Sequence, residues 1–326
     1  MHVVITGGAG FLGSRLAREL LKRRALTGSD GVAREITKVT LVDVVRARGF
    51  DDPRVELLAG DVADPEVVAD AITEETGSIF HLAAVVSGQA EAEFDLGLRI
   101  NLDATRLILE RARRNGNRPR IVFTSSVAVF GGPLPERVLD TSLLAPQSSY
   151  GTQKAMAELL INDYSRKGFV DGRALRMPTI SVRPGAPNKA ASSFASGIVR
   201  EPLEGKEAVC PVSPDTVMWL MSPRKAIQAL LHGHELDGAA FGHSRALSMP
   251  GLSITVRDMV AALERVAGKE VVARIRWELD PALARIVASW PGDFVTARAD
   301  ALGFERDASF EEIVRAYIDD DLPRAR

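Results

Sequence analysis

A doubly wound α/β fold, in which a parallel sheet is covered by helices on both faces and followed by a smaller C-terminal lobe, is predicted by three observations. Short apolar runs alternate with amphipathic stretches of helical length through the first half of the chain. The first run leads straight into a glycine-rich turn and then a helix. After Met177 the rhythm gives way to punctuation by Pro178, Pro184, Gly185, Pro202, Pro214 and Pro223, a pattern that builds a lobe from loops. The expected boundaries are 1–177 for the sheet domain and 178–326 mainly for the lobe, with some late elements returning to the sheet.

Six strands are expected, over residues 2–6, 38–42, 55–58, 78–82, 120–124 and 172–177. Each is an apolar run of strand length bounded by turn residues. Between them the 3.6-residue period predicts helices over 12–24, after the cap and first-turn proline Asp64-Pro65, over 94–114, and over 149–167, the last closed by Gly168. Residues 25–35, with Thr27-Gly28-Ser29-Asp30-Gly31, read as an exposed loop insertion. Beyond the punctuated segment, helices are expected over 224–232 and near 256–267 and 310–318, with a short strand over 246–249. There is no internal repeat.

The chain has 326 residues, 46% hydrophobic and 26% charged, enough for one large or two modest domains. With 41 Lys plus Arg against 43 Asp plus Glu, the net charge of −2 gives no field to recruit a polyanion, so nucleic acid is not the expected partner. No run approaches the ~20 apolar residues of a membrane span, and the first residues lack a signal pattern. Cys210 stands alone, without a partner for a disulfide, which suits a cytoplasmic protein. None of the five histidines has zinc-type spacing, so no metal is expected, and His232-Gly233-His234 reads as a helix-end capping cluster.

The turn Gly7-Gly8-Ala9-Gly10-Phe11-Leu12-Gly13 has a chemistry of its own. Gly7 permits the tight bend, Gly10 lets backbone N–H groups approach a pyrophosphate, and Gly13 lets the helix pack close to the strand. Between an apolar strand and an amphipathic helix, the pattern specifies a Rossmann-type dinucleotide site. Asp43 ends the second strand, where a carboxylate accepts hydrogen bonds from an adenosine ribose and repels a 2′-phosphate, which points to NAD over NADP. Its separation from Gly13 exceeds the usual ~20 residues because of the 25–35 insertion. Arg46 and Arg48, just beyond, are types that accept a 2′-phosphate.

Tyr150 and Lys154 are four residues apart and share one helix face. A cation there favours the phenolate of a tyrosine that otherwise titrates near ~10, which is what a general base at neutral pH requires. The apolar run 121–123 ends in Thr124-Ser125-Ser126 at the carboxyl edge of the sheet, where open parallel sheets bind ligands.

Together the glycine turn, Asp43, Asp61-Val62, His81-Leu82-Ala83-Ala84, Asn101, Thr124-Ser125-Ser126 and Tyr150 with Lys154 resemble the extended short-chain dehydrogenase/reductase family, which includes NAD-dependent epimerases and dehydratases. The resemblance spans nearly the whole chain. It implies Ser126 as the catalytic serine, Tyr150 as the base, and Lys154 as the residue that holds the nicotinamide ribose and depresses the tyrosine pKa. It further implies Asp61 and Val62 at the adenine, Ala83 and Ala84 along the cofactor trough, Asn101 steadying the central helix, Pro178 at the cofactor, and a homodimer.

Many such enzymes act on nucleotide sugars and carry an asparagine after the sixth strand. Here Arg176-Met177-Pro178-Thr179 puts threonine in that place, and between Ala186 and Met218 the sole aromatic is Phe194, which leaves little to sandwich a base. The run from Ser181 to Phe194 and Trp219-Leu220-Met221-Ser222-Pro223-Arg224 resemble instead the sugar-acid dehydrogenases of the family. Arg183 and Lys189 are cations suited to a carboxylate, and Thr179, Ser192 and Ser193 are short hydroxyl donors. The expected reaction is NAD-dependent oxidation of the C2 hydroxyl of a four-carbon sugar acid. The alternatives are a nucleotide-sugar 4-epimerase or dehydratase and a silent nucleotide-binding module, the last opposed by the intact Tyr150 and Lys154.

Overall fold

The computed structural model describes residues 1–186 and 190–322. Its central sheet has seven strands: β1 (His2–Thr6), β2 (Lys38–Asp43), β3 (Val55–Ala59), β4 (Thr76–His81), β5 (Arg120–Ser126), β6 (Asp171–Met177) and β7 (Ala246–Ser248). Their order is β7-β6-β5-β4-β1-β2-β3. β1 pairs in parallel with both β2 and β4, so the direction of winding reverses between β1 and β4. That reversal opens a crevice at the carboxyl ends of the strands, the ligand position of doubly wound sheets. All six expected strands form, and the run at 246–249 becomes the seventh.

The main helices are α1 (Phe11–Arg23), α2 (Pro65–Ala71), α3 (Ala104–Asn115), α4 (Ser149–Arg166), α5 (Ser193–Leu203), α6 (Pro223–Glu235), α7 (Val256–Ala267) and α8 (Phe310–Asp320). Asp64 caps α2 by accepting the Glu66 N–H at 2.9 Å, with Pro65 in the first turn as its fixed φ favours. Ser148 caps α4 through the Gly151 N–H. Gly116, at φ +71°, ends α3 in the left-handed conformation that glycine tolerates best.

Two expectations change in the first half. Residues 25–35 are not a plain loop: Ala25–Thr27 and Ala33–Glu35 pair as an antiparallel ribbon, closed by the Asp30–Arg34 ion pair and anchored by Thr27 to Glu235. The helix expected over 94–114 forms, with helical backbone throughout, but it is not uniform. Phe94–Leu98 runs into a wide π turn over Arg99–Asp103 before α3 begins, and Asn101 sits in that turn with its side chain bonded away from the helix. An inserted residue of this kind widens the backbone and re-aims a side chain.

The chain divides into two compact units. Met1–Val129, Ser148–Arg176 and Ile227–Leu247 form the first, whose core joins Val4, Ile79, Ile121 and Phe123 of the sheet to Ile108 and Ile161 of α3 and α4. Within it Arg173, fully buried, pairs with Asp171 and donates to Gly233 O and Leu236 O, satisfying carbonyls at the end of α6. His234 is no cap. It stacks on Phe80 at 5.2 Å and meets Ser78 Oγ at 2.8 Å, in the core.

Phe130–Gln147, Met177–Ala226 and the chain from Ser248 onward form the second unit. The punctuated segment conceals structure: Thr179–Ile180, Val217–Met221 and Leu252–Thr255 make a three-stranded sheet, and α5 occupies residues expected to be loop. Its core gathers Ile198 of α5, Met259 and Leu263 of α7, and Phe310 and Ile313 of α8. Among the described residues no helix is long and apolar enough to cross a membrane.

Candidate active site

The glycine turn is shaped by close backbone approaches. Gly7 has φ +71°, and a Cβ placed on it would lie 2.9 Å from Ala83 N, across the crevice between β1 and β4. A Cβ on Gly13 would lie 2.2 Å from Gly7 O, so only glycine lets α1 seat against the turn. The turn closes on itself through Gly10 N–H to Gly7 O at 3.1 Å. Phe11 and Leu12 follow as the first residues of α1, where backbone N–H groups have no acceptor within the helix and the dipole is positive. This cradle of bare backbone at a helix N-terminus fits a dinucleotide pyrophosphate.

The residues at the ends of the neighbouring strands complete the cleft. Asp43, half-buried at the end of β2, accepts the Ala9 N–H at 3.1 Å and the Val45 N–H at 3.3 Å, which fixes its carboxylate beside the turn. Asp61 accepts the Ala63 N–H at 2.9 Å and pairs with Arg99 at 2.5 Å, next to buried Val62. Ala83 is half-buried, with its N–H on Thr6 Oγ1 at 3.2 Å, and Ala84 is exposed. Asn101 ties the π turn to both flanks: its Oδ1 accepts the Val85 N–H at 2.8 Å, and its Nδ2 donates to Val85 O and, at 2.7 Å, to Gln153 Oε1 on α4.

At the carboxyl end of β5 the two serines separate. Ser125 is buried and donates to Glu158 Oε1 at 2.5 Å, whereas Ser126 is half-buried and accepts the Ala128 N–H at 3.1 Å, leaving its own proton to donate. Tyr150 lies half-buried in the first turn of α4. Lys154, one turn on and 1% exposed, places Nζ 5.6 Å from the Tyr150 ring centre, 4.4 Å from that of Phe123, and 2.8 Å from Thr124 O. Burial pushes its ammonium down to about 7, against an upward pull from Glu158. His81, next in the layer, lies between Thr6 Oγ1 and Thr105 Oγ1, and burial pushes it down to about 3, so it is neutral.

Glu158 and Arg176 were not singled out from the sequence. Arg176 grips Glu158 through Nε and, at 2.8 Å, through the second guanidinium nitrogen. The available signal was Glu158 one turn beyond Lys154, a spacing that surface helix pairs share.

The remaining expected residues lie in the second unit. Pro178 is buried and Thr179 half-buried at the start of a short strand. Arg183 is held by its backbone, its N–H on Ser196 Oγ at 3.0 Å and its O accepting from Arg200 at 2.7 Å, while its guanidinium reaches Ser192 Oγ at 3.4 Å. Ser192 is the N-cap residue of α5. Lys189 lies outside the described residues. Among those described, no cluster of His, Cys, Asp or Glu could hold a metal ion.

Fold and site together define an NAD-dependent enzyme of the extended short-chain dehydrogenase/reductase kind. The model of the NAD dependent epimerase/dehydratase family matches residues 3–219, and the chain belongs to that family. Within it, the chain is similar to D-erythronate dehydrogenase from Cupriavidus necator, 58% identical over 98% of each chain. It is likewise similar to D-erythronate dehydrogenase from Haemophilus influenzae, 47% identical over 99% of this chain and all of that one. A solved structure described as a nucleoside-diphosphate-sugar epimerase from Agrobacterium tumefaciens superimposes with a TM-score of 0.93, at 45% identity over 99% of this chain and 94% of the other. NAD is the cofactor, and the glycine cradle with Asp43 is the part of the fold suited to hold it.

Proposed function

We propose that the protein is a sugar-acid dehydrogenase that oxidises the C2 hydroxyl of D-erythronate to 2-dehydro-D-erythronate. The observation that carries the reading is the arrangement of Ser126, Tyr150 and Lys154 at the carboxyl edge of β5, in a chain 58% identical to a D-erythronate dehydrogenase. Bound NAD supplies the hydride acceptor. Ser126 donates a hydrogen bond to the substrate hydroxyl oxygen, keeping its own proton, and so holds that oxygen beside Tyr150. The Tyr150 phenolate takes the hydroxyl proton as the C2–H bond gives up its hydride and the carbonyl forms. Lys154 favours the phenolate by its charge.

The cofactor is held by the backbone of Gly7, Gly10, Phe11, Leu12 and Gly13, by Asp43 at the adenosine ribose, by Asp61 and Val62 at the adenine, and along Ala83, Ala84, Asn101 and Pro178. In the second unit, which serves as the substrate lobe, Arg183 pairs with the acid carboxylate and Thr179, Lys189 and Ser192 meet its oxygens. The homodimer that the family resemblance implies belongs to the same reading. We place the enzyme in the cytoplasm.

Purified protein is expected to form NADH with D-erythronate and NAD, faster than with C5 and C6 aldonates or uronates. Silence across that panel, together with a nucleotide sugar that raises the Tm, would establish the second reading, an epimerase or dehydratase, which the Agrobacterium structure favours by its description. Asp43→Asn, which removes the charge that repels a 2′-phosphate, is expected to lower the preference for NAD over NADP by about tenfold or more in kcat/KM. An unchanged ratio would take Asp43 out of cofactor selection.

A further inference from the structure

We propose that Glu158 is a positioning residue of the reaction: it keeps the Lys154 ammonium charged beside Tyr150 and thereby sets the pH range in which the enzyme turns over. The inference rests on Tyr150 being the base. Glu158 touches neither substrate nor cofactor in this reading, and it lies one helical turn beyond Lys154 on the same face of α4.

The surroundings leave the role to Glu158. Lys154, Glu158, Ser125 and Arg176 are all at least 95% buried, so each charge must be balanced from within the protein. From β5, Lys154 receives the Thr124 carbonyl and the Phe123 ring face, neither of them an anion. From β4 it meets His81, which is neutral. Asn101 and Gln153, at the π turn, are neutral amides. Glu91 is spent at the head of α4, where it accepts the Ser149 N–H at 2.8 Å, and Glu110 is spent near its far end on Tyr164 and Arg113.

Glu158 is thus the carboxylate packed into this layer, oriented by Ser125 at 2.5 Å and by the two-pronged grip of Arg176 from β6. The layer then holds two cations, Lys154 and Arg176, against one carboxylate. An ionised Tyr150 brings it to neutrality, which gives a physical reason for the phenolate to form there. Without the carboxylate the upward pull on Lys154 is gone while its burial remains, so Lys154 gives up its proton and the pull on the phenolate is lost.

Glu158→Gln tests this, because the amide keeps the shape and an acceptor for Ser125 while removing the charge. The working form of Tyr150 is the phenolate, so kcat/KM rises with pH through the apparent pKa of the Tyr150–Lys154 pair. In E158Q that limb is expected to move up by about one pH unit. Activity at pH 7 then falls by about tenfold and returns close to the wild-type value at high pH, with NAD affinity unchanged and E158D restoring much of the wild-type profile. A folded E158Q with an unshifted limb, or with activity lowered equally at every pH, would overturn the inference. Should E158Q not fold, E158D alone is read: its carboxylate stands one methylene farther from Lys154, so its limb is expected to rise by part of that unit, and an unmoved limb in a folded E158D would overturn the inference. Tyr150→Phe separates the two readings: if it retains turnover, the base assignment itself fails, whereas a dead Y150F beside an unshifted E158Q removes only the role of Glu158.

Discussion

Replacing Tyr150 with phenylalanine is expected to lower kcat by about 10³-fold, the usual worth of a positioned general base, while NAD affinity stays within a few-fold of wild type. The substitution removes one oxygen and keeps the ring, so the 5.6 Å approach of Lys154 to its face survives and α4 keeps its packing. The loss therefore reports proton transfer and not the fold. It also has a kinetic signature. An interaction made only in the transition state lowers kcat and kcat/KM together and leaves KM nearly unchanged. Turnover on D-erythronate followed by NADH absorbance, beside NAD titration by protein fluorescence, measures both quantities. A variant that keeps turnover above about a tenth of wild type would remove the tyrosine from the mechanism, and one that loses NAD binding in parallel would make its role structural.

The parts of this site most legible in the sequence are those whose spacing along one short stretch of chain fixes their geometry. Gly7, Gly10 and Gly13 are read from a strand–turn–helix, and Tyr150 and Lys154 from one turn of helix. Asp43 was found despite the insertion because it ends a strand beside the turn, and its carboxylate does reach the Ala9 N–H. The partners that set the charge of Lys154 were not legible. Glu158 becomes a buried counter-ion only because β5 and β6 bring Ser125 and Arg176 to it, and no one-dimensional pattern tells that glutamate from a solvated one.

The π turn at Asn101 escaped for a related reason. One inserted residue only offsets the apolar stripe at a single point, and it is the side-chain bonds to Val85 and Gln153 that hold the turn in place. In the second unit the strands of two to five residues lie among prolines and glycines, and runs so short carry no periodicity to read. The sheet they form is specified by pairing at long range, Thr179 with Leu220 and Met218 with Ile254.

Gly13→Ala is the substitution expected to weaken cofactor binding most for the smallest chemical change. The added methyl would stand 2.2 Å from Gly7 O and 2.9 Å from Gly8 Cα, both backbone atoms, so no side chain can swing aside to make room. Either α1 lifts from the turn or the turn opens. Opening is resisted by the Gly10 N–H to Gly7 O bond and by the approach of Gly7 to Ala83 N, whereas lifting α1 draws the N–H groups of Phe11 and Leu12 away from the phosphates. Overpacking of this kind costs on the order of 1–3 kcal/mol, and about 2.8 kcal/mol placed on the bound state corresponds to about 10²-fold in Kd. NAD titration of G13A is expected to show a loss of that size, with a lowered Tm recording whatever strain the free protein retains. Gly31→Ala is the control, since its left-handed φ of +80° strains the ribbon at 25–35 while its added methyl meets nothing within 4 Å, and its NAD affinity should match wild type. Unaltered NAD affinity in G13A would mean that the pyrophosphate is held elsewhere than at this turn.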